Sequence, residues 1–375
     1  MIKVFVAVLF SVFTFCVSGC EETYGKQEKT DTDYTADTSD TDTDTSANTA
    51  TDTGSSTDTG DDTDTDISAD TGTDTGTDTD SSTDTGDDTS TDTDSGTCDE
   101  EKINSVVIGT YNTHLFFDKI CDSGNCTSSD FEKVPSDSEY KTKVSELAES
   151  IHEIDADIIL LQEVEKNSCL KDLFEKSGSY DDFYLGDKNY SGSVNTAVMT
   201  KGKIIYENKH QERIDCSECD GGKTTFSHTF LETRIKLGCR DIIVFSAHFK
   251  SKNNDDQSRR LAEAAAAVKI LKERAAEYPD ALIVMGGDLN DEPGSDTLDF
   301  FESDPAFLRV ANELSSKDQA TYSYRGEAIA IDHIVWVKSS LGSYKQGSAE
   351  VVKDAPSWYS LGSSDHAALK ATFEF

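Results

Sequence analysis

Short apolar runs that each end in a polar residue recur along the C-terminal part of the chain. The strongest is Ala281–Met285, which is followed by Gly286, Gly287 and then Asp288. An unbroken apolar run is typical of a strand covered on both faces, and the two glycines allow a backbone or ligand to come close at its end. Period-2 alternation would point Asp288 and Asn290 to the same side. We therefore predict a buried strand that ends in a functional site.

Further apolar runs predict strands that end in the same kinds of polar residue. In chain order they are Ser105–Asn112, Asp157–Val164, Asn195–Met199, a hairpin of Thr225–Leu237 and Asp241–His248 that turns at Gly238, Ala330–Val337, and a last strand that follows Asp365 and His366 and ends at Phe375. Apolar residues at helical spacing predict helices over residues 140–154 and 259–278. Strands that alternate with helices indicate an α/β fold.

Polar side chains of a restricted set of types lie at or just beyond these strand ends: Asn112, Glu163, His248, Asp288, Asn290, Asp332, Asp365 and His366. In packed α/β folds, ligand sites lie beyond strand ends, where loops converge. Carboxylates can hold a cation, and a histidine beside a carboxylate can activate water. A single Gly-Asp-x-Asn stretch would be ordinary turn chemistry. The whole set, which has no serine or cysteine in a recognisable nucleophile elbow, favours metal-assisted hydrolysis.

Six motifs in chain order resemble those of the endonuclease/exonuclease/phosphatase superfamily. They are Tyr111-Asn112-Thr113, Leu161-Gln162-Glu163-Val164, Ala247-His248-Phe249-Lys250-Ser251, Gly287-Asp288-Leu289-Asn290, Ile331-Asp332-His333-Ile334 and Ser364-Asp365-His366. The chain is similar to deoxyribonuclease I and to abasic-site endonucleases over about residues 103–375. This resemblance implies a four-layer α/β/β/α sandwich with two mixed β-sheets, and it implies a role for each matched residue.

The resemblance implies that Glu163 is the principal metal ligand, supported by Asn112 and Asp365. The implied cation is Mg²⁺, with Mn²⁺ or Ca²⁺ as alternatives. Oxygen donors of these types suit such hard cations.

For water activation the resemblance leaves two assignments open. In one, His366 is the general base, oriented and made more basic by Asp332. In the other, Asp288 activates the water and Asn290 positions the phosphate.

For substrate phosphate, the resemblance implies His248 as the main contact, since a donor there would stabilise charge growing on the phosphoryl oxygens. Lys250, Asn195 and Arg260 are weaker candidates at positions where relatives contact phosphate. Their alternative roles are a solvated lysine, a strand-end cap and a helix-surface charge. We expect His333 to pack beside Asp332 rather than to take part in catalysis.

Residues 1–20 are typical of an export signal: Lys3 precedes the apolar run Val4–Val17, and Ser18 and Gly19 precede Cys20. The segment resembles a bacterial lipobox, in which cleavage exposes the cysteine for acylation. We expect lipidated Cys20 to anchor the protein to the membrane of the bacterial cell envelope, at the outer membrane or cell surface. An unlipidated secreted form and a transmembrane helix are the alternatives, although a span needs roughly 20 apolar residues.

Residues 21–97 are almost entirely Thr, Asp, Ser and Gly, which bury too little apolar surface to offset the entropy of ordering. We predict a disordered linker that its 24 acidic and 2 basic residues keep extended. Removing the linker (−22) and Lys3 from the full charge of −39 leaves −18 for the domain predicted over residues 98–375. This charge argues against a nucleic-acid binder with a broad basic face, although a divalent cation could supply positive charge locally.

Seven cysteines follow the two in the signal segment. Disulfides are the default outside the cytoplasm, and the close pairs Cys121/Cys126 and Cys216/Cys219 are expected to bridge polar loops. An odd number leaves at least one thiol free or paired with another chain. A zinc site is the alternative use of these cysteines.

Taken together, these features predict a Mg²⁺-dependent phosphodiesterase, an extracellular or surface-anchored nuclease whose partner is DNA or RNA. A first alternative is a phospholipid or inositol-phosphate phosphoesterase similar to sphingomyelinases. An exposed aromatic hairpin would favour lipid, but the one short candidate, Phe116-Phe117, is expected in the core. A second alternative is a catalytically silent binding module on a tether. The sequence gives no basis for a protein partner.

Overall fold

The structure, a computed structural model, describes residues 102–375. The export signal, Cys20 and the linker lie outside the described residues. Within residues 102–375, no helix combines the length and apolar character that crossing a membrane requires.

Two large mixed β-sheets form the body of this domain. The strands are β1 Ser105–Phe116, β2 Ile158–Val164, β3 Asp182–Gly186, β4 Asn195–Thr200, β5 Lys203–His210, β6 Ile214–Asp215, β7 Lys223–Thr224, β8 Phe230–Leu237, β9 Arg240–His248, β10 Leu282–Asp288, β11 Phe307–Arg309, β12 Tyr322–Tyr324, β13 Glu327–Ile329, β14 Asp332–Val337, β15 Ser343–Tyr344, β16 Glu350–Val352 and β17 Ala368–Glu374. The helices are α1 Asp137–Ile154, α2 Asn167–Ser177, α3 Gln257–Glu277 and α4 Asp296–Glu302.

The first sheet has the strand order β15-β17-β1-β2-β4-β3, with β16 also paired to β17, and the second has the order β11-β14-β10-β9-β8-β5. Both sheets are mixed, because β1 pairs in parallel with β2 and β9 pairs in parallel with β10, whereas the other pairings are antiparallel. Strands β12 and β13 form a separate two-stranded hairpin.

Three apolar cores separate four layers. One lies between α1 and α2 and the first sheet, one between the two sheets, and one between the second sheet and α3 and α4. The predicted α/β/β/α sandwich with two mixed sheets is confirmed.

Strand β10 shows why its sequence is apolar throughout. Leu282 and Val284 belong to the core between the sheets, whereas Ile283 and Met285 belong to the core under α3. Side chains of a strand alternate between faces, so a strand in the middle of the sandwich needs apolar residues at every position.

The two glycines of β10 allow close approach, as predicted. A Cβ at Gly287 would lie 1.9 Å from the carbonyl oxygen of Ala247 on the paired strand β9. A Cβ at Gly286 would meet Leu160 Cδ1 of the facing sheet at 2.9 Å. The atoms that come close are protein atoms, so these glycines serve packing.

Most of the predicted elements are present, with shifted ends. Helix α1 begins before the predicted residue 140 because Ser136 and Glu139 form a capping box. The hairpin of β8 and β9 turns at Gly238, as predicted, but β8 begins only at Phe230. Helices α2 and α4 and several short strands, including β12 and β13, were not predicted.

Disulfides join Cys121 to Cys126 and Cys216 to Cys219, which confirms both predicted pairs. Cys239 is also disulfide-bonded. Within the described part of the chain the free thiol is that of Cys169, a buried residue of α2, and burial raises its pKa to about 12. This thiol is therefore inert at neutral pH.

We predict that Gly287→Ala lowers the free energy of unfolding by about 3 kcal/mol, because backbone must move to accept the Cβ. Gly286→Ala is the matched control, with an expected loss of about 1 kcal/mol, because only the end of the Leu160 side chain must move. Urea unfolding of both variants measures the difference. Equal losses would mean that strands β9 and β10 can separate slightly at no cost.

Candidate active site

The predicted site residues meet where strands of both sheets end. In the second sheet, Asp288 at the end of β10 is in register with His248 on β9 and with Asp332 on β14. Residues in register on neighbouring strands point to the same face, and here that face is turned toward the first sheet. The three paired strands therefore hold the carboxylates of Asp288 and Asp332 and the imidazole of His248 next to one another.

The first sheet supplies Asn112 from β1 and Glu163 from β2. The Asn112 amide Nδ2 donates to Glu163 Oε1 and to Asp288 Oδ2, both at 3.1 Å. One amide therefore bridges carboxylates from the two sheets. Glu163 adopts a left-handed φ of 64°, which is unusual outside glycine, and the backbone N–H of Leu115 donates to its Oε2 at 2.7 Å. Such a conformation, held by its surroundings, is common at functional sites.

His366 and Asp332 form a buried pair. His366 Nδ1 lies 2.8 Å from Asp332 Oδ2, and both residues are almost inaccessible to solvent. Burial alone would lower the pKa of His366, but the charge and hydrogen bond of Asp332, with Asp288 and Asp365 nearby, raise it to about 10. In the absence of a cation, His366 is thus protonated at neutral pH and presents an N–H at Nε2.

Asp288 lies next to this pair. Its Oδ2 is 4.0 Å from His366 Nε2. Burial, together with the charge of Asp332, raises the pKa of Asp288 to about 8. The Asn290 backbone N–H donates to Asp288 Oδ1 at 2.8 Å. Asp288 is therefore a carboxyl group that gains or loses its proton near neutral pH, as proton-transfer groups do.

Asn290 follows the end of strand β10, so the period-2 alternation of a strand does not set the direction of its side chain. The strand ends at Asp288, and Asn290 follows with a left-handed φ of 53°. Its Nδ2 donates to the carbonyl oxygen of Phe249 at 3.0 Å. This bond joins the chain after β10 to the chain after β9.

Asp365 has a partner that the sequence did not indicate. Its Oδ1 lies 2.8 Å from His114 Nδ1, and 4.0 Å from His366 Nε2. Burial would raise the pKa of Asp365, but the His114 hydrogen bond and the charge of His366 lower it to about 2. Asp365 is therefore ionised throughout the physiological range.

These residues fit a divalent cation. Ligand atoms of Asp288, Asp332 and His366 lie within 4.8 Å of one another, and Glu163 and Asp365 add two more carboxylates close by. Three of these four carboxylates lie around the imidazolium of His366, and His114 pairs with one of the three, Asp365. Asp332 Oδ1 is buried without a hydrogen-bond donor. Unpaired carboxylate oxygens in excess over positive charge are what an Mg²⁺ or Ca²⁺ ion would neutralise.

His248 faces the carboxylates from the side opposite His366. Its Nε2 is 3.8 Å from Asp288 Oδ2 and 4.0 Å from Glu163 Oε1. Burial and the charge of His366 lower the pKa of His248 to about 3. A second histidine, His228, stacks on it with ring centroids 4.0 Å apart and planes inclined by 8°. His228 precedes β8 and was not predicted, because only the folded sheet brings it to His248.

Arg260, a predicted phosphate contact, is not available to substrate. It is 2% exposed, its Nε lies 3.2 Å from Asp291 Oδ2, and its Nη1 donates to Asp255 Oδ1 at 2.6 Å. The prediction is corrected: this guanidinium holds the start of α3 against the loop after β10.

Asn195 also has a structural role in place of the predicted phosphate contact. It is buried, its Nδ2 donates to the carbonyl oxygen of Glu165 at 2.6 Å, and its Oδ1 accepts from the backbone N–H of Lys188 at 3.0 Å. Lys250 carries its ammonium group on the exposed side, 3.5 Å from the carbonyl oxygen of Asn253. A phosphate contact by Lys250 stays a prediction.

His333 points away from the site, as expected. It is fully buried, and its Nε2 lies 2.9 Å from the carbonyl oxygen of Asp291.

Comparison with known proteins agrees with this architecture. The model of a family described as the endonuclease/exonuclease/phosphatase family matches residues 107–359. Solved structures with a similar fold include an endonuclease/exonuclease/phosphatase from Bacteroides vulgatus (16% identity, 73% of this chain and 100% of that chain, TM-score 0.50) and the human Nocturnin catalytic domain with bound sulfate (16% identity, 73% and 96%, TM-score 0.51). A humanized D. rerio TDP2 is also similar (14% identity, 72% and 99%, TM-score 0.50). At these identities the likeness to solved structures shows the fold alone. No curated protein matches the chain.

A buried set of carboxylates, amides and histidines at the shared edge of two sheets is the site of a metal-dependent phosphoesterase. The chain belongs to the endonuclease/exonuclease/phosphatase family, because the family model spans most of the described domain.

We predict that Asp332→Asn lowers the pKa of His366, because the neighbouring charge that raises it is removed. The measurement is an NMR titration of the His366 ring in the absence of divalent cations. The exposed ring of His152, on the last turn of α1, provides an internal control signal. An unchanged His366 titration would mean that Asp288 and Asp365 suffice to hold its proton.

We also predict that Mg²⁺ stabilises the protein against heat, by about 2.7 kcal/mol at 100 times its dissociation constant. The stabilisation should grow between pH 6 and pH 9, because Asp288, with its pKa raised to about 8, is protonated at the lower pH and a bound proton competes with a cation. Melting with and without Mg²⁺ at both pH values measures this.

Glu163→Gln should reduce the Mg²⁺-dependent shift, whereas Glu207→Gln on the exposed strand β5 should leave it unchanged. A shift independent of pH would remove Asp288 from the cation site.

Proposed function

We propose that this protein is a Mg²⁺-dependent phosphodiesterase that hydrolyses nucleic acid outside the cytoplasm. Its main support is the single Asn112 amide that joins Glu163 of one sheet to Asp288 of the other, beside the His366–Asp332 pair. This arrangement collects cation ligands and proton-transfer groups around one point. When bound, Mg²⁺ would supply positive charge to a phosphoryl oxygen.

Of the two assignments for water activation, we favour the one in which Asp288 accepts the proton. Asp332 keeps a proton on His366 up to a pKa of about 10, so at neutral pH His366 is a donor at Nε2 and not a free base. Asp288 would give up its proton when a cation binds, and its carboxylate, 4.0 Å from His366 Nε2, is then the acceptor of the water proton. A water molecule between the two atoms can contact both.

In this proposal the water oxygen forms the new bond to phosphorus as its proton passes to Asp288. The ester bond to the leaving oxygen breaks, and that oxygen takes up a proton from solvent or from His366. His366 Nε2–H donates to charge that develops on the phosphoryl group, and His248 offers a second nitrogen on the opposite side. Burial of both histidines keeps these interactions in a medium of low dielectric constant, where they are stronger than in water.

The basic residues near the site do not form a surface for gripping duplex DNA. Lys252 lies 2.8 Å from Asp291, Arg259 lies 3.8 Å from Glu263, and Arg260 is buried among carboxylates. The domain is acidic overall, so electrostatic attraction of a long phosphate backbone is weak. We therefore infer modest affinity and a short footprint on the substrate.

Export and lipidation at Cys20 remain part of this proposal. The segment Ser18-Gly19-Cys20 and the acidic linker over residues 21–97 would place the enzyme at the cell envelope, on a tether that lets it reach soluble polymer. Lipid or inositol-phosphate substrates are the second candidate, and a binding module without activity is the third.

The test is hydrolysis of plasmid DNA, RNA and sphingomyelin vesicles by the purified protein with Mg²⁺ or with EDTA. We expect Mg²⁺-dependent nicking of plasmid or cleavage of RNA, and a loss of about 10²- to 10⁴-fold in His366→Ala, the usual scale for a proton-transfer group. His152→Ala is the matched control, because His152 is an exposed histidine at the end of α1, away from the site.

Each other outcome selects a different function. Cleavage of sphingomyelin alone would make the lipid phosphoesterase the function, and hydrolysis of none of the substrates would leave the tethered binding module.

A further inference from the structure

The hairpin of β12 and β13 starts next to the catalytic pair. The backbone N–H of Ala367 donates to the carbonyl oxygen of Thr321 at 2.8 Å, which ties the start of β12 to the residue after His366. The rings of Tyr322 and His366 are 4.8 Å apart. The first aromatic residue of this hairpin is therefore part of the wall of the active site.

From this wall the hairpin extends outward into solvent. Tyr322 and Tyr324 are two positions apart on β12, so their side chains lie on the same face of the hairpin. Tyr324 is 52% exposed. Two strand residues span about 7 Å, roughly two nucleotide steps of 3.4 Å in a stacked strand. The Tyr324 ring therefore lies about one or two nucleotide steps from His366, on the same face of the hairpin as Tyr322.

The turn of the hairpin holds an arginine in an unfavourable conformation. Arg325 and Gly326 have φ values of 51° and 83°, as in a type I′ turn, where asparagine or glycine is preferred at both positions. Local turn chemistry does not explain an arginine there. The Arg325 guanidinium carbon lies over the Tyr324 ring, 5.1 Å from its centroid. The turn thus places a flat cation on a flat aromatic ring.

We propose that Tyr324 and Arg325 form a stacking platform for a nucleobase of a single-stranded substrate, next to the phosphate cleaved at His366. This inference rests on the proposed function and deepens it, because it names the strandedness of the nucleic acid and the residues that select it. Aromatic and guanidinium planes both stack on bases, whatever the base. Bases in a duplex are already stacked and paired, so the platform favours single strands.

The chemistry of the tip favours nucleic acid over a membrane. Residues 323–328 are all exposed, and the tip is Arg325-Gly326-Glu327, which is polar and, with one charge of each sign, neutral. A membrane-inserting hairpin needs an apolar tip. Stacking without net charge further implies that the contribution of the platform to affinity changes little with salt.

The test compares two oligonucleotides of equal length and charge, one of thymidines and one of abasic tetrahydrofuran units. We expect the wild-type protein to have a kcat/KM about tenfold higher for the thymidine strand, the scale of one base stacked on an aromatic ring. In Tyr324→Ala this preference should vanish by a fall in kcat/KM for thymidines, with the abasic strand cleaved as before.

Two variants separate stacking from other effects. Tyr324→Leu keeps an apolar side chain without a ring and should lose the preference for bases. Arg325→Asn suits the turn better and should lower the preference without loss of thermal stability. Tyr206→Ala is the matched control, because Tyr206 is an exposed tyrosine on β5, at the far edge of the second sheet.

The outcomes distinguish the platform from the function on which it rests. Cleavage of both strands at equal rates by wild type and Tyr324→Ala would overturn the platform and leave the nuclease standing. Cleavage of neither strand would overturn the platform, and it would overturn the nuclease as well if plasmid DNA and RNA also remained intact. Loss of sphingomyelin hydrolysis in Tyr324→Ala, restored in Tyr324→Leu, would overturn the platform in favour of a membrane contact.

Discussion

Mutual repulsion of carboxylates held close together is the constraint on which the rest of this domain depends. Two unit charges about 4 Å apart in a medium with an effective dielectric constant of 20 repel each other by about 4 kcal/mol. Asp288 and Asp332 are fully enclosed, and Glu163 and Asp365 lie beside them. The fold reduces this cost with protons and hydrogen bonds that a cation can replace. Burial, together with the charge of Asp332, raises the pKa of Asp288 to about 8. The carboxylates around His366 raise the pKa of its imidazole to about 10 against the effect of burial.

The sandwich supplies the rigidity that such a site requires. Asp288, His248 and Asp332 lie in one row across three paired strands, so none of them can move without breaking backbone hydrogen bonds. The close contact of Gly287 with Ala247 leaves no space for that row to shift. Asn112 then fixes the first sheet to the second through the carboxylates themselves. The site is thus also one of the joints between the sheets, where optimal function opposes optimal stability.

Sequence patterns could predict an α/β class and the strand ends that carry most of this site, whereas the four-layer sandwich followed from the family resemblance of the motifs at those ends. Apolar runs covered on both faces marked β2, β9 and β10, and the polar residue that ended each run proved to lie at the common edge. The prediction of helix α1 was right in position and wrong only at its first residue, because the capping box of Ser136 and Glu139 sets where the helix begins.

What the sequence could not predict depends on contacts between distant segments. His114 meets Asp365, and His228 stacks on His248, across separations that no local pattern encodes. Arg260 and Asn195 had the right residue types in the right neighbourhood, but their side chains turn inward to Asp291 and to backbone groups. A sequence motif predicts which residue lies near the site, whereas the folded structure determines which of its side-chain atoms are accessible to a substrate.

Charge and shape together limit what this site can hold. An acidic domain in which Lys252, Arg259 and Arg260 pair with carboxylates gains little from a long polyanion, so most of the binding energy must come from contacts near the scissile phosphate. At the His366 side those contacts are a tyrosine wall, Tyr322 and Tyr324, and a guanidinium laid on it. A flat surface of this kind favours an exposed base over a paired one. A weakly binding enzyme of this type works best where its substrate is concentrated beside it, which is what a tether to a surface would provide.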